Sequence, residues 1–334
     1  SKLRKLLTAA DFATIQQGVE LLKGCGVPEV WDTLLEGIDP QNALIPGDSK
    51  ADLEAMGNVF SRGKLKDALY ARWATLAVLA TAPEEATAAV EARGLVTRVI
   101  LSTTDGQGWG RIKTAIPPPP SLAALQNLQR LEVYGDIPCA DLAWLTGSPL
   151  RTLVLTSLSQ LTDASALATV PDLEVLHLAA PLLPSLRGCE ALKGLSQVAL
   201  HSQLLADLSP LATSTELSWL SLKSCHALTS LGGLEGAGAL SALAISDCHA
   251  LVDAAALANK PALTTQSWST PTSVYGLRSV WNDHFTSDGD DHHLDLSGAG
   301  VLSDLGFLKD QGEIQSLTAH ITALAAAFLS VSYR

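Results

Sequence analysis

Positive charge is scarce in this sequence. Its 334 residues carry 22 Lys and Arg against 34 Asp and Glu, a formal net charge of −12, and phosphate-bearing partners are held mainly by clustered basic side chains. Nucleic acid and anionic membranes are therefore disfavoured as partners. The one compact basic group, Arg62, Lys64 and Lys66 in SRGKLK, reads as a solvated helix entry. No segment reaches the roughly 20 consecutive apolar residues of a membrane helix. The opening SKLRKLLTAADF lacks the apolar core of about 7–15 residues and the cleavage site of a secretory signal. The five cysteines, at 25, 139, 189, 225 and 248, show no C-x-x-C spacing, which argues against a disulfide framework and for a reducing cytoplasm. A hydrolase G-x-S-x-G, a phosphate-binding G-x-x-x-x-G-K-[ST] and a protease-like Cys–His setting are all missing. The expectation is a protein without catalytic activity and without a cofactor.

Leucine at a fixed interval is what the sequence has in abundance. The segments LQRLEV, LRTLVL, LEVLHL, LSQVAL, LSWLSL and LSALAI begin at Leu128, Leu150, Leu173, Leu195, Leu217 and Leu240, so successive starts differ by 22, 23, 22, 22 and 23 residues. The tetrapeptide Cys-His-Ala-Leu occurs twice in the same rhythm, at 225–228 and 248–251. Within LSWLSL, strand alternation turns Leu220 and Leu222, together with Leu217, toward a core, and Trp219 and Ser221 away from it. One such unit cannot bury its own leucines, whereas neighbours stacked at about 4.8 Å cover them. A period of roughly 20–29 residues with this leucine spacing is the mark of leucine-rich repeats.

On these residues the region from 128 to about 330 resembles the leucine-rich repeat family. The short return segments LTDASALATVPD, LLADLSPLATST and LTSLGGLEGAGA resemble its 22-residue internalin-like and SDS22-like subclass. The resemblance implies an α/β solenoid: a right-handed horseshoe with a parallel β-sheet on the concave face and mostly short 3₁₀ or irregular segments on the convex one. It also implies that the residue three after the last strand leucine points inward in a stacked ladder, the place held by Cys225 and Cys248. A zinc site would need about four converging ligands, and adjacent Cys225 and His226 point in different directions. A disulfide between stacked cysteines stays open on Cα spacing.

Residues 1–94 have a helical rhythm and are expected to form an all-α cap over the open end of the first repeat. In TAADFATIQQGVELLKG, Thr8 is the expected N-cap, and Phe12, Ile15, Val19 and Leu22 make one apolar face. VPEVWDTLLEGI, SKADLEAMGNVF, KLKDALYARWATLAVLATA and PEEATAAVEARG continue as helices. The block resembles helical segments beside leucine-rich repeats in some large bacterial proteins, which implies a bacterial source. Residues 95–127 supply an entry strand, LVTRVIL, and a connector stiffened by Pro117 to Pro120. The solenoid is expected over 128–334 with an insertion near 269–290, where the interval from Leu263 to Asp291 lengthens to 28 residues. The chain starts with Ser and ends apolar, so it is expected to continue beyond one or both ends, or to fold its last residues back as a covering helix.

Two candidate sites follow. Outward strand positions form a concave face expected to bind a partner protein, with Arg130, Glu132, Tyr134, His177, His201, Trp219, Lys223 and Trp268 as its contact residues. Trp, Tyr and Arg are favoured at such places because they bury area with little entropy loss or make directional contacts. The second lies in VWNDHFTSDGDDHHLDL, where Asp288, Asp290, His292 and His293 are candidate ligands for a divalent cation. Their spacing fits neither an EF-hand loop nor H-E-x-x-H, and a solvated acidic turn is the alternative. The functional expectation is a protein-binding scaffold in the cytoplasm. A metal-regulated sensor acting through 283–295 and a structural subunit of a larger assembly are its alternatives.

Overall fold

The structure is a computed structural model; it describes residues 2–35, 44, 62–103, 114–251, 253–257, 260, 262–263, 265–268, 293–295 and 316–318. The chain divides into two compact units, Ser1–Leu161 with Ser165–Ala179, and Thr162–Ala164 with Ala180–Arg334.

The first unit opens with five described helices, α1 (Lys2–Leu7), α2 (Phe12–Cys25), α3 (Pro28–Leu35), α4 (Arg62–Thr81) and α5 (Thr87–Leu95). Helix α2 begins at Asp11, whose extended backbone (φ −158°) lets its carboxylate accept the Thr14 N–H at 2.7 Å, and it ends at Gly26 in the left-handed conformation. Asp11 is therefore the N-cap, and the expectation of Thr8 is corrected. The Thr8 hydroxyl instead donates back to the Arg4 carbonyl at the end of α1, a local bond that competes with capping. The apolar stripe Phe12, Ile15, Val19 and Leu22 is buried. Phe12 meets Tyr70 and Trp73 of α4 edge-on, with ring centroids 4.6 and 5.6 Å apart. Helix α3 is tied to α5 through Asp32, which accepts the Ala88 N–H at 2.9 Å. The last carbonyls of a helix have no partner within it. Here buried Arg93 supplies one, donating to Leu79 O at 2.7 Å and to Ala82 O, with Glu84 at 2.8 Å as counter-ion.

Helix α4 packs on the first strand of the same unit, β1 (Arg98–Ser102), and on the 3₁₀ turn Leu122–Ala124. The Trp73 indole N–H donates to Pro117 O at 3.0 Å, and the Asn127 amide to Gly94 O at 2.7 Å. Strands β2 (Arg130–Asp136), β3 (Thr152–Ser157) and β4 (Val175–Ala179) follow, each parallel to its predecessor. In the second unit β5 (Gln197–His201), β6 (Trp219–Lys223), β7 (Ala242–Ser246) and β8 (Thr265–Trp268) are parallel in the same way, and β9 (His293–Asp295) pairs in parallel with β10 (Ser316–Thr318).

One device recurs between successive coils within each unit. The carbonyl just before a strand accepts two successive N–H groups from the following coil: Gln129 O takes Arg151 and Thr152, Arg151 O takes Glu174 and Val175, Ser196 O takes Ser218 and Trp219, and Ser218 O takes Ser241 and Ala242. The inward rows stack aliphatic side chains: Leu131, Leu153 and Leu176 in the first unit, and Val198, Leu220 and Leu243 in the second. All are buried, each contributing on the order of 1.5–3 kcal/mol. Between strands the chain returns through turns and 3₁₀ segments such as Ala143–Leu145 and Ser209–Leu211. Among the described residues, no helix is long and apolar enough to cross a membrane.

Candidate functional site

In the first unit the strand face opposite the leucines carries charge. Register sets Arg130 between Arg98 and Thr152, and Glu132 between Ile100 and Val154, with His177 beyond. Two residues along the strand, Tyr134 is on the same side as Arg130 and Glu132, so β2 alone delivers three polar groups to one face. They converge on the Glu132 carboxylate. One of its oxygens accepts from Arg98 Nε and Nη2 at 3.2 and 3.0 Å and from Arg130 Nε at 2.5 Å; the other accepts the Tyr134 hydroxyl at 2.6 Å.

Glu132 is only 3% exposed, whereas the Arg98 and Arg130 side chains are 26% and 48% exposed. The cluster is thus a buried anion with two cations above it, a local excess of one positive charge on an acidic chain. Burial would raise the Glu132 pKa, but the bonds from Tyr134 and Arg130 and the charges of Arg130 and Arg98 outweigh it and hold the carboxyl below its ordinary range. The Tyr134 phenol is pushed up to about 12 by burial, by its bond to Glu132 and by that residue's charge. His177, half-buried, is pulled down by desolvation and by Arg130, against a smaller opposing pull from Glu132.

In the second unit the outward positions are Gln197, Ala199 and His201 on β5, Trp219, Ser221 and Lys223 on β6, and Ala242, Ala244 and Ser246 on β7. Trp219 is half-buried, with Gln197 and Ala242 as its neighbours in the register and Ser221 next on the same face of its own strand. Lys223 is exposed. His201 is pulled down by burial and by the charges of Lys223 and His226. Trp268 stands opposite Ile245 in the backbone register, in the row that Leu222 shares; its side chain is outside the described residues.

The register gathers Arg130, Glu132, Tyr134 and His177 on one face of the first unit, and His201, Trp219 and Lys223 on one face of the second. Arg98, which shares Glu132 with Arg130, was not read from the sequence. It stands 32 residues before Arg130, outside the 22-to-23-residue rhythm, so only the β1–β2 pairing reveals it. Asp288, Asp290 and His292 lie outside the described residues, and of His293 only the β9 backbone is described. Among the described residues no group of three or more His, Cys, Asp and Glu side chains could hold a metal ion.

Cys225 and Cys248 are both fully buried, three residues after Leu222 and Ile245. They are free thiols joined by a hydrogen bond that draws Cys225 down and, with burial, pushes Cys248 up; burial raises Cys189 to about 12. The Cys189 and Cys248 thiols, held protonated, are poor nucleophiles.

Stacked parallel strands at a 22-to-23-residue period, inward leucine rows and short return segments, preceded by helices, define a leucine-rich repeat fold with an N-terminal helical region. No protein-family model matches the chain, and no curated protein does. Similar solved structures include three internalins of Listeria monocytogenes. Internalin InlF is 18% identical, with 70% of this chain and 64% of that chain covered at a TM-score of 0.48. Internalin C2 is 19% identical, with 69% and 96% covered at a TM-score of 0.44. The functional domain of InlJ, which includes a cysteine ladder, is 13% identical, with 85% and 76% covered at a TM-score of 0.26. The chain spans 64% of the length of InlF. The repeat register and strand order of this chain, rather than these likenesses, establish its fold.

Proposed function

We propose that this chain is a non-enzymatic protein-binding scaffold that holds a partner protein on the outward face of its parallel strands. The observation that carries this reading is the arrangement around Glu132. A buried carboxylate fixes two guanidinium groups and a phenol before any partner arrives, so contact residues of the types enriched at binding hot spots lose little freedom on binding. Trp219, half-buried beside Gln197 and Ala242 in the second unit, offers the same economy of rotatable bonds. No reacting group need be supplied by such a face, and the buried thiols of Cys189 and Cys248 are held protonated. Five free cysteines fit a reducing, cytoplasmic setting.

The test is crosslinking mass spectrometry in native lysate with the wild-type chain, Arg130→Ala and Trp219→Ala. Arg130→Ala should weaken crosslinks from the 130–177 face at least tenfold and leave the thermal transition within a few degrees, and Trp219→Ala should do the same for the 197–246 face. Crosslinks that map to the return segments, or that persist unchanged in both folded variants, would defeat the reading.

A further inference from the structure

Helix α4 turns a run of short side chains toward the ends of α1 and α3. Ala71, Ala74, Thr75 and Val78 recur at the three- and four-residue spacing that puts them on one face of a helix. Side chains this short leave a gap between α4 and the last turns of the other two helices, and the gap is a cavity of about 280 Å³. Its floor is apolar: Leu7, Leu35, Ala74 and Val78 are buried there, with the Tyr70 ring beside them.

Polar groups stand at the rim. Arg4 and Thr8 are exposed and Thr75 is half-buried. Both hydroxyls already donate into their own helices, Thr8 to Arg4 O and Thr75 to Ala71 O, at 2.9 Å each. Among the described residues that line the cavity, the Arg4 guanidinium is the one charged group.

Volume and chemistry together select an occupant. A dry cavity of about 150 Å³ takes the six carbons of benzene, roughly 25 Å³ per carbon. At that density the space here takes roughly eleven non-hydrogen atoms. A sugar or a nucleotide would leave its polar groups without hydrogen bonds against Leu7, Leu35 and Val78, at a cost that excludes it. A single hydrocarbon chain has no such groups to satisfy, and a carboxylate at its end meets a guanidinium in a charge-assisted hydrogen bond. We propose that this cavity binds an aliphatic monocarboxylate of about eight to ten carbons, with the chain on the apolar floor and the carboxylate at Arg4. The site lies within the first unit and shares no residue with the strand face around Glu132, so neither reading rests on the other.

The experiment is isothermal titration of the full chain with sodium hexanoate, octanoate, decanoate and dodecanoate below their micelle-forming concentrations. Affinity should rise about fourfold per added methylene as far as decanoate and level off at dodecanoate, whose last carbons find no room. Octanoate should also shift the methyl resonances of Leu35 and Val78 by NMR with the same midpoint. Ala74→Leu fills the floor and should abolish octanoate binding without lowering the thermal transition. Arg4→Gln, at the surface, should weaken octanoate about two- to fivefold and leave the binding of octan-1-ol unchanged. Absence of saturable octanoate binding, an affinity that climbs at the same rate through dodecanoate, or unaltered binding in folded Ala74→Leu would overturn the proposal. Should Ala74→Leu fail to fold, the chain-length break and Arg4→Gln still decide it, because equal losses of octanoate and octan-1-ol in Arg4→Gln would remove the carboxylate from the site.

Discussion

Glu132 shows how one residue's burial sets the chemistry of a face. Its folded pKa is depressed by Tyr134, Arg130 and Arg98, so its stabilising contribution is fully present above the unfolded carboxylate value of about 4.3 and is lost as pH falls through the lower folded value. Urea melts between neutral and acid pH should show that loss in the wild-type chain. The Glu132→Gln variant should lack this component, because an amide does not titrate, and at pH 7 it should be less stable by about 2–4 kcal/mol, since two guanidinium groups lose their counter-ion. Tyr134→Phe removes a single hydrogen bond and should cost only about 1 kcal/mol. From the sequence, Arg130, Glu132 and Tyr134 were legible as outward residues of one strand by alternation alone. That Glu132 is nevertheless buried was not, because the group covering it includes Arg98 from a strand outside the leucine register.

The stitching between coils governs the strand and turn elements. Leu220 is flanked in its row by Val198 and Leu243, so Leu220→Ala should leave a cavity at the centre of a stacked column and cost roughly 2–5 kcal/mol by chemical denaturation. Gly233 has φ +100°, and a Cβ placed there would lie 2.5 Å from the backbone of Leu208 in the preceding coil. Gly233→Ala should therefore destabilise by roughly 2–5 kcal/mol through strain and overpacking together, and its melt should shift further than that of Gly238→Ala, where a Cβ meets nothing within 4 Å. Strand positions were legible because leucine period and backbone pairing share one spacing. The start of α2 was less so: Thr8 and Asp11 both carry capping side chains, and the choice fell to Asp11 only because α1 claims Thr8 for its own last turn. Asp11→Ala should cost about 1 kcal/mol.

Over the whole molecule, the charge of −12 predicts no retention on heparin at physiological salt, since binding to a polyanion draws on clustered cations; retention there would contradict that charge argument. The sequence by itself determined the repeat period, which leucines face inward, the helical character of the N-terminal residues and the sign of the net charge. Each follows from local periodicity or from a sum over residues, and neither needs to know which coil lies beside which. Tertiary structure alone decided that Arg98 joins Arg130 on one carboxylate, that Arg93 closes the end of α4, and that His226 and His249 stand ring to ring. Those are distances between residues 14 to 34 positions apart in the chain, and such distances are fixed only when neighbouring coils and helices are stacked in register.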